Sequence, residues 1–172
     1  MKSRALTFDP IRRAAVLWER TWGRASAPQS MATATSVMRV QQLLLAEFDG
    51  HLADLDLTFP RFEALVLLTF SREGRLPMTR VGERLMVHPT SATSVIQRLE
   101  GQGFVERIPN PADGRGTLAV ITPAGRVVAE QGMQRLVDAG FGVSALTGPE
   151  RVELFRLLEK IRHANGDFGE PD

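Results

Sequence analysis

The feature that most constrains the fold is a pair of short helical patterns separated by a tight turn. Apolar residues recur at helical spacing in residues 79–86 and again in residues 90–102. Val87-His88-Pro89 lies between the two patterns, and Gly103 ends the second. Two short helices joined so closely predict a helix-turn-helix.

A wing is predicted immediately after this pair of helices. Residues 104–108 and 118–121 alternate as two strands, and the PNPADGRG segment between them is rich in residues that form tight turns. Arg115 is expected to project from the tip of this hairpin, and Asp113 to bond nearby backbone groups. The whole segment therefore predicts a winged helix-turn-helix.

Helical patterns continue on both sides of this segment. They predict a fold that is mainly α with a small β-hairpin wing. The apolar stripe of residues 31–55 is long for a surface helix of a small domain, so we expect it to pack against another helix or subunit. The predicted organisation is an N-terminal extension with one extra helix (1–30), a helical region of two parts (31–56 and 123–163), a winged helix-turn-helix lobe (57–122) and a disordered tail (164–172).

Composition narrows the classes of function. The formal net charge is +1, so any nucleic-acid site must come from the local placement of charge. The chain has no Cys, which excludes a thiolate metal site and suits a reducing cytoplasm. It has only three His, so a metal sensor would lack obvious ligands. The sequence contains no run of about 18 apolar residues, the length that a helix needs to cross a membrane. No residue pattern indicates an enzyme or a bound cofactor.

The start of the second helix suits the major groove of DNA. Its small side chains allow close approach, and its hydroxyls can bond bases or phosphates. Arg75, Arg84 and Arg107 are expected to reach flanking phosphates. The predicted DNA-binding residues are Thr79, Arg80, His88, Pro89, Thr90, Ser91, Thr93, Ser94, Gln97, Arg98, Asp113 and Arg115.

Each of these features also has an ordinary structural explanation. Ser and Thr at a helix start are common caps, and an arginine in a loop is more often a solvated charge than a DNA contact. Their combination in this order is what favours DNA binding. A winged-helix adaptor that binds protein and has no specific DNA site is the alternative, since the charge of residues 97–107 is close to neutral.

Residues 57–125 resemble the MarR-type winged-helix transcriptional regulators. The motifs that carry the resemblance are LTFPRFEALVLL, LPMTRVGERLMV, HPTSATSVIQRLEGQGFVERIPNPADGRG and LAVITPAGR, in this order. Asp113-Gly114-Arg115 matches the Asp-x-Arg of the family's wing, and ITPAGR matches its strand-to-helix junction. Gly116 departs from the pattern, because many members carry a bulky or charged residue there. The flanking helices extend the match to residues 31–163.

The resemblance implies a homodimer in which residues 31–56 and 123–163 form dimerisation helices that flank the winged helix-turn-helix. It implies a pseudo-palindromic operator of double-stranded DNA, repression of nearby genes, and release when a small aromatic or phenolic molecule binds between the dimer region and the DNA-binding lobe. An extra N-terminal helix with Trp is similar to the urate-responsive branch. The ligand residues predicted on this basis are Trp18, Trp22, His51, Arg61 and Glu63. Packing of the tryptophans within the dimer is the other interpretation.

Overall fold

The computed structural model describes residues 6–169, apart from the side chains of residues 114 and 115. The chain is mainly α with a small antiparallel sheet, which confirms the predicted fold class. None of the described helices is long and apolar enough to cross a membrane. In chain order the elements are α1 (Pro10–Trp22), α2 (Pro28–Leu52), α3 (Phe59–Phe70), β1 (Arg75–Pro77), α4 (Met78–Leu85), α5 (Pro89–Gly101), β2 (Val105–Asn110), β3 (Asp113–Ile121), α6 (Pro123–Asp138) and α7 (Gly148–Ala164).

The chain divides into two units, and the boundary lies after Glu47 inside α2. In the first unit, Asp9 caps α1 by accepting hydrogen bonds at Oδ1 from two backbone N–H groups of the first turn, at 2.9 and 3.1 Å. Trp18 donates its indole N–H to the carbonyl oxygen of Ser26 at 3.0 Å. Its ring meets that of Trp22 edge-on, with 4.6 Å between centroids. These contacts hold α1 to the turn that follows it.

The second unit contains a three-stranded antiparallel sheet in the order β1-β3-β2. The sequence predicted only the two strands of the wing. β1 joins them because it pairs with β3, with Leu76 opposite Ala119. The wing strands also extend further than predicted. Asn110 pairs with Asp113 past a bulge, so only Pro111 and Ala112 are left at the tip.

The core of the second unit joins α3, α4 and α5, which pack against one another. The fully buried side chains at its centre are Leu65, Leu68, Val81, Ile96 and Leu99. Phe70, also on α3, is 83% exposed. It lies two residues beyond Leu68, and two residues correspond to about 200° around an α-helix, so the two side chains point to opposite sides.

Like α1, three further helices of the described chain begin at a proline. These are α2 at Pro28, α5 at Pro89 and α6 at Pro123. Proline suits the first helical position because its fixed φ is already helical and its missing N–H would have had no partner there. α2 also ends at Leu52, earlier than predicted, because the chain continues in a single 3-10 turn, Ala53–Leu55.

The start of α3 is stabilised by a residue of α2. Thr58 precedes α3 but forms no side-chain cap. Instead, Oδ1 of Asp49 accepts a hydrogen bond from the backbone N–H of Phe59 at 2.7 Å. One of the unpaired N–H groups that every helix start presents is therefore satisfied across the junction between α2 and α3.

Polar contacts tie this junction to α5 and α6. Gln102, directly after α5, donates from Nε2 to the backbone oxygen of Asp56 (2.7 Å) and to its Oδ2 (2.9 Å). Its Oε1 accepts a hydrogen bond from Nη1 of Arg61 at 3.1 Å. Arg135 on α6 donates from Nη1 to the carbonyl oxygen of His51 at 3.0 Å. The end of α5 is thus held to the short segment that connects α2 to α3.

The chain after α7 makes defined contacts. The backbone N–H of Asp167 donates to the carbonyl oxygen of Arg162 at 3.1 Å. The guanidinium of Arg162 lies 5.2 Å from the ring centroid of Phe168, within the range of a cation–π interaction. Residues 164–168 thus make contacts with the end of α7, and residues 170–172 lie outside the described chain. Disorder of the tail stays a prediction.

We expect Gly125→Ala to destabilise the fold. A Cβ at Gly125 on α6 would collide with the carbonyl oxygen of Phe104, and forcing α6 outward should lower the free energy of unfolding by about 1–3 kcal/mol. Gly50→Ala is the matched control, since its added Cβ meets nothing within 4 Å and alanine suits a helix better than glycine. Urea unfolding followed by circular dichroism should show a lower midpoint for Gly125→Ala alone. A midpoint equal to that of the parent protein would contradict the close approach.

Candidate nucleic-acid interface

α5 presents one face to the core and the other to solvent. Ala92, Ile96 and Leu99 are buried, and the helix packs against α3 and α4. His88 caps α5, because its Nδ1 accepts a hydrogen bond from the backbone N–H of Thr90 at 3.3 Å. The packing determines which residues of α5 face outward, and the cap stabilises the first turn of the helix.

The outward face of α5 carries uncharged donors and one cation. Ser91, Ser94, Gln97 and Arg98 are exposed, and their side chains have no hydrogen-bond partner among the described residues. Thr93 is different, since it is half-buried and its Oγ1 donates to the carbonyl oxygen four residues earlier at 2.9 Å. The free groups can bond a ligand without first breaking a contact within the protein.

A cleft of about 350 Å³ separates the start of α4 from the wing, and we call it the wing cleft. It brings together Thr79, Thr93, Arg107 and Asp113, all expected from the sequence to lie near DNA. Asn110 and Thr117 also line it and were not predicted. Their only sequence signal is their position beside the turn-rich hairpin. Pro89 lies in a neighbouring depression of about 620 Å³ with Thr79 and Thr93.

Two arginines at this surface are paired with carboxylates. Nη1 of Arg80 lies 2.9 Å from Oε2 of Glu83, and Nε of Arg107 lies 2.7 Å from Oε2 of Glu100. Both pairs are partly exposed, and such pairs contribute at most about 1 kcal/mol to stability. A phosphate could therefore replace either carboxylate at low cost. The side chain of Arg115 lies outside the described residues.

Gly116 accommodates close packing at the wing tip. An added Cβ would lie 3.0 Å from Oδ2 of Asp113 and 3.3 Å from Cβ of Asn110. Asn110 itself supports the tip, since its Oδ1 accepts a hydrogen bond from the backbone N–H of Ala112 at 3.1 Å. A larger residue at position 116 would displace one of these side chains, which is a physical reason for glycine here.

A further depression, of about 420 Å³, involves α3 and the start of α5, and we call it the α3–α5 depression. Its walls are formed by Pro60, Glu63, Leu85, Val87, Thr90, Ser91, Ser94 and Val95. Loss of hydration raises the pKa of the Glu63 carboxyl. Glu63 is thus the one predicted ligand residue that this depression contains.

The other predicted ligand residues lie elsewhere. Arg61 donates to Gln102 and to the hydroxyl of Thr58, at 3.1 and 3.3 Å. His51 is exposed near the end of α2. Trp18 and Trp22 pack against each other in the first unit. Their role in binding a ligand stays a prediction.

Comparison with known proteins connects this geometry to a family. A sequence model of the MarR family matches residues 55–116. The HTH-type transcriptional repressor Rv2887 of Mycobacterium tuberculosis is 32% identical over 125 residues, which make up 72% of this chain and 88% of that protein.

Solved structures extend the likeness to the fold. Sco5413, a MarR family transcriptional regulator from Streptomyces coelicolor, matches 83% of this chain and 99% of its own at 51% identity, with a TM-score of 0.77. A mutant of MarR from Escherichia coli, crystallised with operator DNA, matches 74% of this chain and 91% of its own at 27% identity, with a TM-score of 0.68. Because sequence and fold agree over most of the chain, including the α4–α5 pair and the wing, this protein belongs to the MarR family of transcriptional regulators.

Proposed function

We propose that this chain is a repressor that binds a pseudo-palindromic DNA operator as a homodimer and is released by a small aromatic ligand. The observation that carries the proposal is the outward face of α5, where Ser91 and Ser94 have free hydroxyls. Beside this face, the wing cleft collects Thr79, Arg107 and Asp113. A helix with small polar side chains fits the major groove, and its hydroxyls can bond base edges or phosphates.

The proposed DNA contacts fall into two classes. Ser91, Ser94 and Gln97 are placed on α5 to contact base edges, which carry sequence information. Arg80 and Arg98 are suited to phosphates, which add affinity and sensitivity to salt. Arg115 would enter the minor groove from the wing. The structure of MarR with operator DNA supports duplex DNA as the partner.

Exposed apolar side chains support a homodimer. None of the residues of α7 is buried, even its large apolar ones. Val152 is 71% exposed and Phe155 is 61% exposed. A contiguous apolar stripe of this kind favours burial against another protein surface. A second copy of the chain would cover it if residues 31–56 and 123–163 form the dimer region. A two-fold dimer would place two α5 helices about one turn of DNA apart.

Repression and ligand release are the finer parts of the proposal. The name of Rv2887 as a repressor supports the same direction of control here. An effector that binds the free protein more tightly than the DNA-bound form would draw the population away from the operator. We place this effector in the α3–α5 depression, because one of its walls comes from Thr90, Ser91 and Ser94 of the proposed reading helix. A regulator of this kind acts where the genome lies, in the cytoplasm.

The alternative function is a winged-helix adaptor that binds protein and has no specific DNA site. It is favoured by the pairing of Arg80 with Glu83 and of Arg107 with Glu100, which leaves fewer free cations at the surface. The two functions differ in one observable, which is preference for a specific duplex over random duplex.

We expect saturable binding to a labelled duplex from the intergenic region beside the protein's own gene. Fluorescence anisotropy with excess random duplex, at two salt concentrations, measures both specificity and salt dependence. Ser91→Ala should change the ranking of operator variants by about tenfold, because it removes a base-edge donor. Ser30→Ala, which changes an exposed serine outside the proposed dimer region and distant in sequence from α5, should leave the ranking unchanged. Equal affinity for operator and random duplex would select the adaptor.

We expect Glu83→Gln to strengthen binding to random duplex by about threefold, because it frees Arg80 to contact phosphate. The dependence of affinity on salt concentration should steepen in the same variant. Glu19→Gln breaks the exposed Glu19–Arg24 pair, which lies outside the proposed dimer region and the DNA-binding lobe, and serves as the matched control. If both variants bind random duplex like the parent protein, Arg80 does not contact phosphate.

We expect Phe155→Glu to yield monomers, because a charge within the exposed stripe of α7 opposes its burial. Phe70→Glu is the control, since Phe70 is an equally large side chain that is 83% exposed on α3, outside the proposed dimer region. Sedimentation velocity of both variants at the same concentration should separate them. A dimer that persists in Phe155→Glu would exclude this part of α7 from the interface.

A further inference from the structure

The α3–α5 depression contains one charged side chain, Glu63, among the described residues that line it. The remaining walls are apolar or carry hydroxyls. The apolar ones are Pro60, Leu85, Val87 and Val95. In an apolar depression with a single ionisable group, that group decides which charge the ligand carries.

Glu63 has no cationic partner within the described chain. Loss of hydration is the sole influence that shifts its pKa, and it raises it, whereas a nearby arginine would lower it. Arg61, two positions earlier on α3, is engaged with Gln102 and Thr58. The carboxylate is therefore partly shielded by the walls of the depression, remains exposed at its mouth and has no ion-pair partner in the described chain, so an incoming ammonium group would supply both opposite charge and hydrogen-bond donors.

We infer that the effector is a small amphiphilic cation, an ammonium group on an aromatic body, held with its charge at Glu63 and its apolar part against Val87 and Val95. This rests on the proposed function, since it assigns a chemical class to the effector of that function. An anionic effector would meet a carboxylate of like charge, which disfavours its binding.

The position of the depression explains how such a ligand would release DNA. Thr90, Ser91 and Ser94 form one of its walls and are also proposed DNA contacts. A ligand seated there and an operator therefore use the same hydroxyls, and each opposes the binding of the other. The coupling between the two binding sites is reciprocal. Operator DNA should therefore lower the affinity for the ligand by the same factor as the ligand lowers the affinity for the operator.

The test uses three probes that share a phenyl ring and differ in charge, namely benzylammonium, benzyl alcohol and benzoate at neutral pH. Isothermal titration calorimetry on the full chain measures binding directly, and anisotropy measures release of the duplex. We expect benzylammonium to bind about tenfold more tightly than benzoate, with benzyl alcohol between them. Benzylammonium should also release the duplex at the lowest concentration.

Variants of Glu63 separate its charge from its shape. Glu63→Gln should lower the affinity for benzylammonium to that for benzyl alcohol, whereas Glu63→Asp retains the charge and should retain the order of the three probes. Glu19→Gln on α1 is the control for loss of a carboxylate outside the depression and outside the proposed dimer region, and it should behave like the parent protein. Circular dichroism confirms that each variant is folded.

Three results would overturn the inference: benzoate binding as tightly as benzylammonium, an affinity for benzylammonium unaffected by Glu63→Gln, or no binding of any probe up to about 10 mM. Failure of the proposed DNA-binding function can be distinguished from failure of this inference about the effector. In that case the duplex titration without any probe shows no preference over random duplex, while calorimetry still reports the order of the three probes.

Discussion

The rotation of α5 about its own axis is set by the burial of Ala92, Ile96 and Leu99 against α3 and α4. Each square ångström of apolar surface withdrawn from water contributes about 25 cal/mol, so turning the helix would expose this face at considerable cost. The same constraint directs Ser91 and Ser94 outward. The chemistry that the helix offers to DNA is thus a consequence of how its opposite side packs.

Burial of one face sets the rotation of α5 more tightly than its tilt, and long-range polar contacts at the end of the helix constrain the tilt. His88 caps the start, and Gln102 joins the end to Asp56 and Arg61. Asp56 lies in the segment between α2 and α3, and Arg61 lies in the first turn of α3. The end of α5, the helix proposed to contact base edges, is therefore tied both to the turn that precedes α3 and to α3 itself.

Much of this arrangement could be predicted from the sequence, because its causes are local. Helical spacing predicted the buried face of α5, and the hydroxyls on its other face followed from it. What could not be predicted depends on residues distant in the chain. β1 has only three residues and joins the sheet through β3. The Gln102–Asp56 contact spans 46 positions, and the surroundings of Glu63 are formed by three helices and the turn between two of them.

Asp49 lies in α2 but completes the first turn of α3. At the other end of the lobe, Gly125 of α6 sits against the carbonyl of Phe104. We therefore expect that the predicted winged helix-turn-helix lobe, residues 57–122, would not fold stably on its own. Without Asp49 the first turn of α3 would fray, and without α6 the contact at Phe104 would be lost. A lobe transplanted from a relative would lack these matched neighbours. We expect single substitutions on the outward face of α5 to be the simpler way to change the DNA sequence that this protein prefers, because the exposed side chains there make no hydrogen bonds within the part of the chain that the structure describes.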